Sequence, residues 1–472
     1  MYIQKINMLN ISQESTLRQD YKYISYNERT INNFYYFKEL FDFAVDDKVD
    51  IEKIAGDFFY CEIGDADKQG DVNPVKLNLD KRTLEDENYY KKIEQGNILS
   101  AKENDILLSK VRPNLKKYIR ITPENSDVFF TTAFIHLKSK IMPEIMYYCL
   151  RSVFFQNIVA VSRMGKGYPT ISEKDLFYLK FDKKSIDKLY ENREGLTAKI
   201  LEIEKEIQEY KNNIKTSSMI IDEIFQKEFN FDYVQFNRLK SNKIFSTSIF
   251  NFSQNPDLRF SAKFHRVAGE FVMNELNNLT GKKIKDFLAE PIVLGASISP
   301  CNYDEDGEFS YISMATIKNW KYDCDSANTV SMEYSKAKSS KTVSKNDILL
   351  ARSGEGTIGK VALITNDEKG IFSDFIMRIR LKNYNPKFAY YYFRTCYFQY
   401  LIEIYKKGLG NNTNIFPIVI KELPLLDISL EEQQRIVDEI HFELDKLDII
   451  NQKIEELRNE IELMLENVIE KN

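Results

Sequence analysis

Histidine and paired cysteine are scarce in this sequence, and each shortage narrows the chemistry open to it. The three histidines, His136, His265 and His441, stand far apart with no metal-ligand spacing, which argues against a metal centre or a His-based nuclease. His441 falls in an acidic helical stretch and is expected at the surface. The five cysteines (Cys61, Cys149, Cys301, Cys324, Cys396) are odd in number and form no C-x-x-C pair. That argues against a disulfide framework or a zinc ribbon, and points to a reducing cytosol. There is no G-x-S-x-G elbow, no H-E-x-x-H and no Gly-rich nucleotide fingerprint after an early strand. No Pro-Pro pair occurs, so the Asn-Pro-Pro-aromatic motif of amino-methyltransferases is missing. No uncharged apolar run approaches the ~18 residues of a membrane span. The opening Met-Tyr-Ile-Gln-Lys lacks the pattern of a signal peptide.

What is present reads as globular: 472 residues, 43% hydrophobic and 29% charged, with room for about two to four domains. The net charge of −5 is unevenly placed. Residues 427–472 carry fourteen acids against five bases (−9), and residues 183–228 carry ten against nine (−1). Removing both from −5 leaves +5 on the remainder, so the acidic total does not exclude a nucleic-acid partner.

The strongest feature is an internal duplication. Leu17-Arg18-x-x-x-Lys22-Tyr23 recurs as Leu258-Arg259-x-x-x-Lys263-Phe264, an offset of 241. Asn104-Asp-Ile-Leu-Leu108 recurs as Asn346-Asp-Ile-Leu-Leu350, an offset of 242. Tyr147-Tyr-Cys-Leu-Arg151 to Gln156 matches Tyr390-Tyr-Tyr-Phe-Arg394 to Gln399, and Gly165-x-Gly167-x-x-Thr170 matches Gly408-x-Gly410-x-x-Thr413, both at 243. This period is too long for a solenoid, so a domain with its following linker has been doubled. The pattern divides the chain into a mixed region 1–182, a helical stretch 183–230, a mixed region 231–426 and a helical stretch 427–472.

In the helical stretches, Leu196, Ile200, Ile203 and Ile207 continue through Ile221 and Ile224, and Leu447, Ile450, Ile454, Leu457, Ile461, Met464 and Val468 follow the same 3–4 spacing. This is a heptad seam, predicting two long helices of about 45 residues, roughly 65 Å each, paired as an antiparallel coiled coil. Asp427-x-Ser429-x-Glu431-Glu432 supplies the caps for the second. The mixed regions read as α/β (mixed α+β) globular domains. Short strands are expected at 105–109, 117–121, 347–351 and 360–364, and Pro-led helices at 143–156 and 386–403.

Gly354-x-x-x-x-Gly359-Lys360-Val361 approaches a P-loop, but Val361 has no hydroxyl for Mg²⁺ and the next residues read as a strand. A Gly-rich hairpin is the expectation. The remaining candidates are polar and basic loops at equivalent places in both halves. The first half offers Lys110, Arg112, Lys116, Lys117, Arg163, Lys166 and Tyr168. The second offers Arg352, Ser353, Lys360, Lys406, Lys407, Asn411, Asn412 and Asn414. Lys and Arg neutralise phosphates, and Asn and Arg can bond two base-edge atoms at once. The framework is shared while these loops differ, as reading two different sequences would require.

Domain, helix, domain, helix without a catalytic motif resembles the specificity (S) subunit of type I restriction-modification systems. Asn346-Asp-Ile-Leu-Leu-Ala-Arg-Ser-Gly with Thr357-Ile-Gly-Lys-Val-Ala is similar to the family's strand-turn-strand signature. Leu423-Pro-Leu-Leu-Asp-Ile-Ser-Leu-Glu-Glu-Gln-Gln-Arg-Ile-Val resembles its entry into the long helix. In the first half the turn lacks its glycines, and Phe181-Asp-Lys-Lys-Ser185 replaces the Pro-rich entry. The resemblance implies two target recognition domains, each reading one half of a split site in double-stranded DNA. The helices would act as a ruler and as the dock for two methyltransferase subunits. Those partners would carry S-adenosylmethionine, and restriction subunits would hydrolyse ATP. The chain itself would be non-catalytic, cofactor-free and cytoplasmic, with no membrane partner. The residues leave open a nuclease or NTPase, a coiled-coil adaptor that binds only proteins, and a related methylation-only or phage-exclusion system.

Overall fold

The computed structural model describes residues 33–44, 49–80, 86–164, 167–177, 179–242, 244–250, 259, 261–354, 356–408 and 412–470. The repeat residues Leu17, Arg18, Lys22, Tyr23, Gly165, Leu258 and Gly410, and the candidates Lys166 and Asn411, lie outside these. Packing divides the chain into two units, Met1–Asn213 with Gln452–Asn472, and Ile214–Asn451. Each therefore contains a mixed region and part of both helical stretches.

In the first unit the strand Asp105–Ser109 pairs antiparallel with Tyr118–Arg120 on one side and Phe134–Ser139 on the other. Phe41–Phe43 completes a four-stranded sheet. Ile106, Leu107 and Leu108 are all fully buried. A strand covered on both faces must be apolar throughout, which explains the unbroken run. Asn104 enters the strand with φ 70°, a backbone region that Asn tolerates, and its N–H donates to the Ile121 carbonyl at 2.8 Å. A second sheet is built on Asp57–Cys61, antiparallel to Val75–Asn78 and parallel to Val128–Phe130. Cys61, Leu99, Leu107, Ile119, Phe130 and Phe134 form one core cluster with contributions from both sheets.

The second unit repeats this plan. Ile348–Ala351 lies between Val361–Leu363 and Ile376–Ile379, with Val293–Leu294 outermost, in the same order and with the same antiparallel pairing. Asn346 has φ 73° and donates to the Ile364 carbonyl at 2.8 Å. Phe309–Ile312 is again antiparallel to one neighbour, Thr329–Val330, and parallel to the other, Gly370–Phe372. Leu349, Ala362, Phe372 and Ile376 stand where Leu107, Ile119, Phe130 and Phe134 stand in the first unit. Ile348 and Leu350 face the other way, into a cluster with Phe388, Tyr392 and Phe398. The duplication thus extends from short motifs to strand order, strand direction and core positions.

Helices are more broken than periodicity suggests. The expected 143–156 helix is two, Pro143–Arg151 and Phe155–Val161, and its counterpart is Pro386–Tyr392 followed by Cys396–Tyr405. At the second break Thr395 caps the new helix, accepting from the Phe398 N–H at 3.4 Å. The stretch 183–230 is not one helix but three, Lys183–Glu191, Arg193–Asn213 and Ser217–Phe229. Asn212 and Asn213 are poor helix formers, and the Thr216 hydroxyl accepts from the Met219 N–H at 3.2 Å, starting a new helix. The second stretch is continuous over Leu430–Glu470, and Ser429 and Glu432 exchange the two bonds of a capping box. Its seam is buried at Ile454, Leu457 and Ile461, and then at Leu465 rather than at Met464. Within the first unit the two stretches run antiparallel. The Lys188 ammonium meets the Ile469 carbonyl at 2.8 Å, while Lys211 and Arg458 share the Asp71 carboxylate.

No helix among the described residues is long and apolar enough to cross a membrane. Among the same residues no group of His, Cys, Asp and Glu side chains could hold a metal ion. His441 is half-buried with its ring 5.6 Å from Tyr391, not on the open surface that its acidic neighbourhood suggests.

Candidate nucleic-acid interface

In each unit the fold brings two distant segments together: the end of the central strand and a short hairpin some fifty residues later. In the first unit the hairpin is Arg163–Met164 paired with Pro169–Thr170, and Val111 forms a bridge to Thr170. The Arg112 N–H donates to the Pro169 carbonyl at 2.8 Å, and its guanidinium lies 5.6 Å from the centre of the Tyr168 ring. In the second unit Ser353 and Lys407 both bridge to Asn414, and the Ile415 N–H donates to the Arg352 carbonyl at 2.9 Å. Lys110, Arg112, Arg163 and Tyr168 therefore share one surface of the first unit. Arg352, Ser353, Lys407 and Asn414 share its counterpart in the second.

The electrostatic state of these side chains differs widely. Arg112 and Tyr168 are exposed. The Arg163 Nε donates to Asp175 at 2.6 Å, and the Lys110 ammonium is held by the Thr132 carbonyl at 2.9 Å. Lys116 sits 4.7 Å from the Phe155 ring centre, and Lys117 bonds the Ile63 carbonyl at 2.7 Å. In the second unit Arg352 directs one Nη to the Asp374 carbonyl and the other to the Asn414 side-chain oxygen, each at 3.2 Å. The Asn414 amide nitrogen in turn donates to the Asn412 carbonyl at 2.9 Å. Both polar ends of Asn414 are thus engaged inside the loop. Ser353 is buried, and Lys406 pairs with Glu403. Burial raises the Glu403 carboxyl, but hydrogen bonds from Lys263 and Lys406 outweigh it and hold the group below its ordinary value. Lys360 stays half-exposed and has no side-chain partner among the described residues.

The hairpin reading of the Gly-rich segment holds. Gly354, Gly356 and Gly359 all have positive φ, and Val361–Leu363 is a strand where a P-loop needs a helix. A Cβ on Gly359 would come within 2.8 Å of the Gln399 Oε1 and 3.0 Å of Ile402, so those side chains would have to shift to admit one. The first unit has no glycine there, yet Arg112 and Lys116 take the left-handed conformation with φ 50° and 54°. Non-glycine residues held so cost about 1–2 kcal/mol each, and such strain concentrates at working loops.

Asp175 escaped the sequence reading. It is almost fully buried and accepts from both the N–H and the hydroxyl of Ser172 at 3.0 and 2.6 Å. Ser172-x-x-Asp175 is a capping-box spacing, the local signal by which it could have been found. Exposed Phe375, Phe416 and Ile418 beside the second loop were missed too, and no local pattern marks them.

Comparison with known proteins bears on the second unit first. Residues 282–459 match the family of the type I restriction modification DNA specificity domain. No curated protein matches the chain. Among solved structures, the chain is similar to the S subunit of a type I restriction-modification system from M. genitalium (13% identity, TM-score 0.38). It is similar also to the HsdS subunit from Thermoanaerobacter tengcongensis (14%, 0.31) and to a chain from a structural study of type I complex assembly and conformational transition (15%, 0.35). Each likeness covers 93% of this chain and 96% of the other. Overlap at these TM-scores is loose and fixes no residue-by-residue correspondence. The matched stretch contains the strand-turn-strand, the Gly-rich hairpin and the entry to the long helix. Residues 282–459 thus match the type I restriction modification DNA specificity domain over the same segments whose motifs resemble that family.

Proposed function

We propose that the chain reads a split, asymmetric DNA site, the mixed region 1–182 contacting one half and 231–426 the other. The observation that carries this is the repetition, in the mixed region outside the family match, of the sheet order and strand directions of the sheets that the match covers. A scaffold kept while its loops are rebuilt suits the reading of two different short sequences. The exposed Arg112, Arg163 and Tyr168 and the half-exposed Lys360 supply donors to phosphates and base edges. The helical stretches 183–230 and 427–472 dock two methyltransferase subunits that bind S-adenosylmethionine and methylate adenine. Restriction subunits with ATP join for cleavage. In this reading the chain binds no cofactor and contributes recognition, not bond-breaking. A target adenine inside a duplex must leave the stack to be methylated, so the recognised DNA is expected to be opened at that base.

The test is a map of N6-methyladenine in cells with and without the gene for this chain. Loss of one motif made of two short blocks around a fixed gap is the expected result. An unchanged map, together with no DNA binding by the chain assembled with its methyltransferase partners, would refute the proposal and favour a protein-only adaptor.

A further inference from the structure

Among the cations at the two loops, Arg163 alone is held through Nε by an almost fully buried carboxylate. Asp175 is itself fixed by two bonds from Ser172, so the plane of the Arg163 guanidinium is set by the fold. With Nε engaged, neither Nη has a partner among the described residues, and the side chain is 46% exposed. The guanidinium therefore presents two parallel donors outward in a defined direction. Its charge is also balanced by Asp175, so the pair adds little net attraction for phosphate. A phosphate contact needs charge and tolerates a mobile side chain; a base-edge contact needs orientation.

From this we propose, resting on the DNA-reading function above, that Arg163 is the specificity-determining residue of the first unit. It reads a base edge carrying two adjacent acceptors, as guanine offers in the major groove, and Asp175 is its positioning residue. Among the described residues the second unit has no equivalent. Lys407, opposite Asn414 as Arg163 is opposite Thr170, stands at the matching place with an ammonium in place of a guanidinium, and both Nη groups of Arg352 are turned inward. The two units thus recognise their half-sites by different chemistry.

The experiment uses the full chain assembled with its methyltransferase partners, binding duplexes of the mapped split site with each base pair replaced in turn, at several salt concentrations. Wild type should discriminate at one G·C pair in one half by about 5- to 150-fold, the range of a good bidentate contact. Arg163→Lys keeps the charge but cannot keep both the Asp175 bond and two oriented donors. It should reduce that discrimination to within about twofold, leaving the other half-site and the salt dependence unchanged. Asp175→Asn should lose the same discrimination while raising affinity for all sequences and steepening the log–log salt slope by up to ~0.9, because an unbalanced charge is released. A role confined to stability predicts no such gain. If Arg163→Lys keeps wild-type discrimination, or if Asp175→Asn weakens all binding uniformly, the assignment is overturned. Failure of the wild-type complex to recognise any split site would instead overturn the DNA-reading function on which it rests.

Discussion

Glu204 offers a severe test of how the first unit is held together. The Arg120 guanidinium, 6% exposed, donates one Nη to Glu204 and the other to the Asn104 side-chain oxygen at 2.9 Å, while its Nε has no partner. The second Glu204 oxygen accepts from the Tyr148 hydroxyl at 2.9 Å. Removing the carboxylate in Glu204→Ala leaves a buried guanidinium with a single bond and a hydroxyl with none. Breaking a buried pair in this way costs about 3–5 kcal/mol; Glu204 itself is 22% exposed, so entering water offsets part of it and about 3 kcal/mol is expected. Tyr148→Phe should cost about 1.5 kcal/mol, one bond to a charged group. The double variant Arg120→Met, Glu204→Leu should regain most of the loss, since it leaves no orphaned charge. Urea denaturation followed by far-UV circular dichroism measures all three. At a slope of about 2–3 kcal/mol/M, Glu204→Ala should lower the midpoint by about 1 M. The only tryptophan, Trp320, belongs to the second unit, so its emission reports whether the loss spreads there. A midpoint shift below about 0.3 M, or a double variant no better than the single one, would refute the reasoning.

Three further outcomes are expected. Burial raises the Asp71 carboxyl, but Arg458 and Lys211 outweigh it and hold its pKa below the ordinary 3.8. Its contribution to stability is therefore present above that value and lost as pH falls through the lowered one. The stability gap between wild type and Asp71→Asn should close below about pH 4 in acid titrations of the denaturation midpoint, and a gap constant down to pH 2 would contradict this. Asn346→Ala should lose about 1 kcal/mol, seen as a melting point lower by a few degrees, whereas Asn346→Gly should retain stability, because φ is 73° there. Asn414→Ala removes the acceptor for Arg352 and the donor to Asn412, so the second loop should lose its shape. Methylation of sites altered in one half should become permissive while discrimination in the other half stays at its wild-type level.

The sequence made the duplicated framework legible because its signals are local. Asn-Asp-Ile-Leu-Leu encodes a left-handed entry and a strand buried on both faces within five residues, and both copies carry it. The second sheet was not legible. Asp57–Cys61 and Phe309–Ile312 acquire their place from parallel partners about sixty to seventy residues away, and short strands of mixed burial leave no periodic trace. Helix breaks at Asn213–Thr216 and Phe393–Thr395 were hidden because the apolar spacing continues across them, while the caps that end one helix and start the next lie in one or two side chains.

The candidate site divides along the same line, and the division bears on how such loops should be read. Residue type put candidate cations and amides in corresponding segments of both halves, and pairing brings some of these segments together across about sixty residues. What residue type cannot report is whether a side chain still has donors to offer. Arg352 and Asn414 have the chemistry of base readers, yet they bond each other and the backbone around them, so their first effect is on the shape of the loop. Arg163 has the same chemistry, but its carboxylate takes only Nε and leaves the outward edge open. Between an arginine that reads and one that builds, the difference is which nitrogen the protein occupies, and that follows from a partner twelve residues away in one unit and sixty-two in the other.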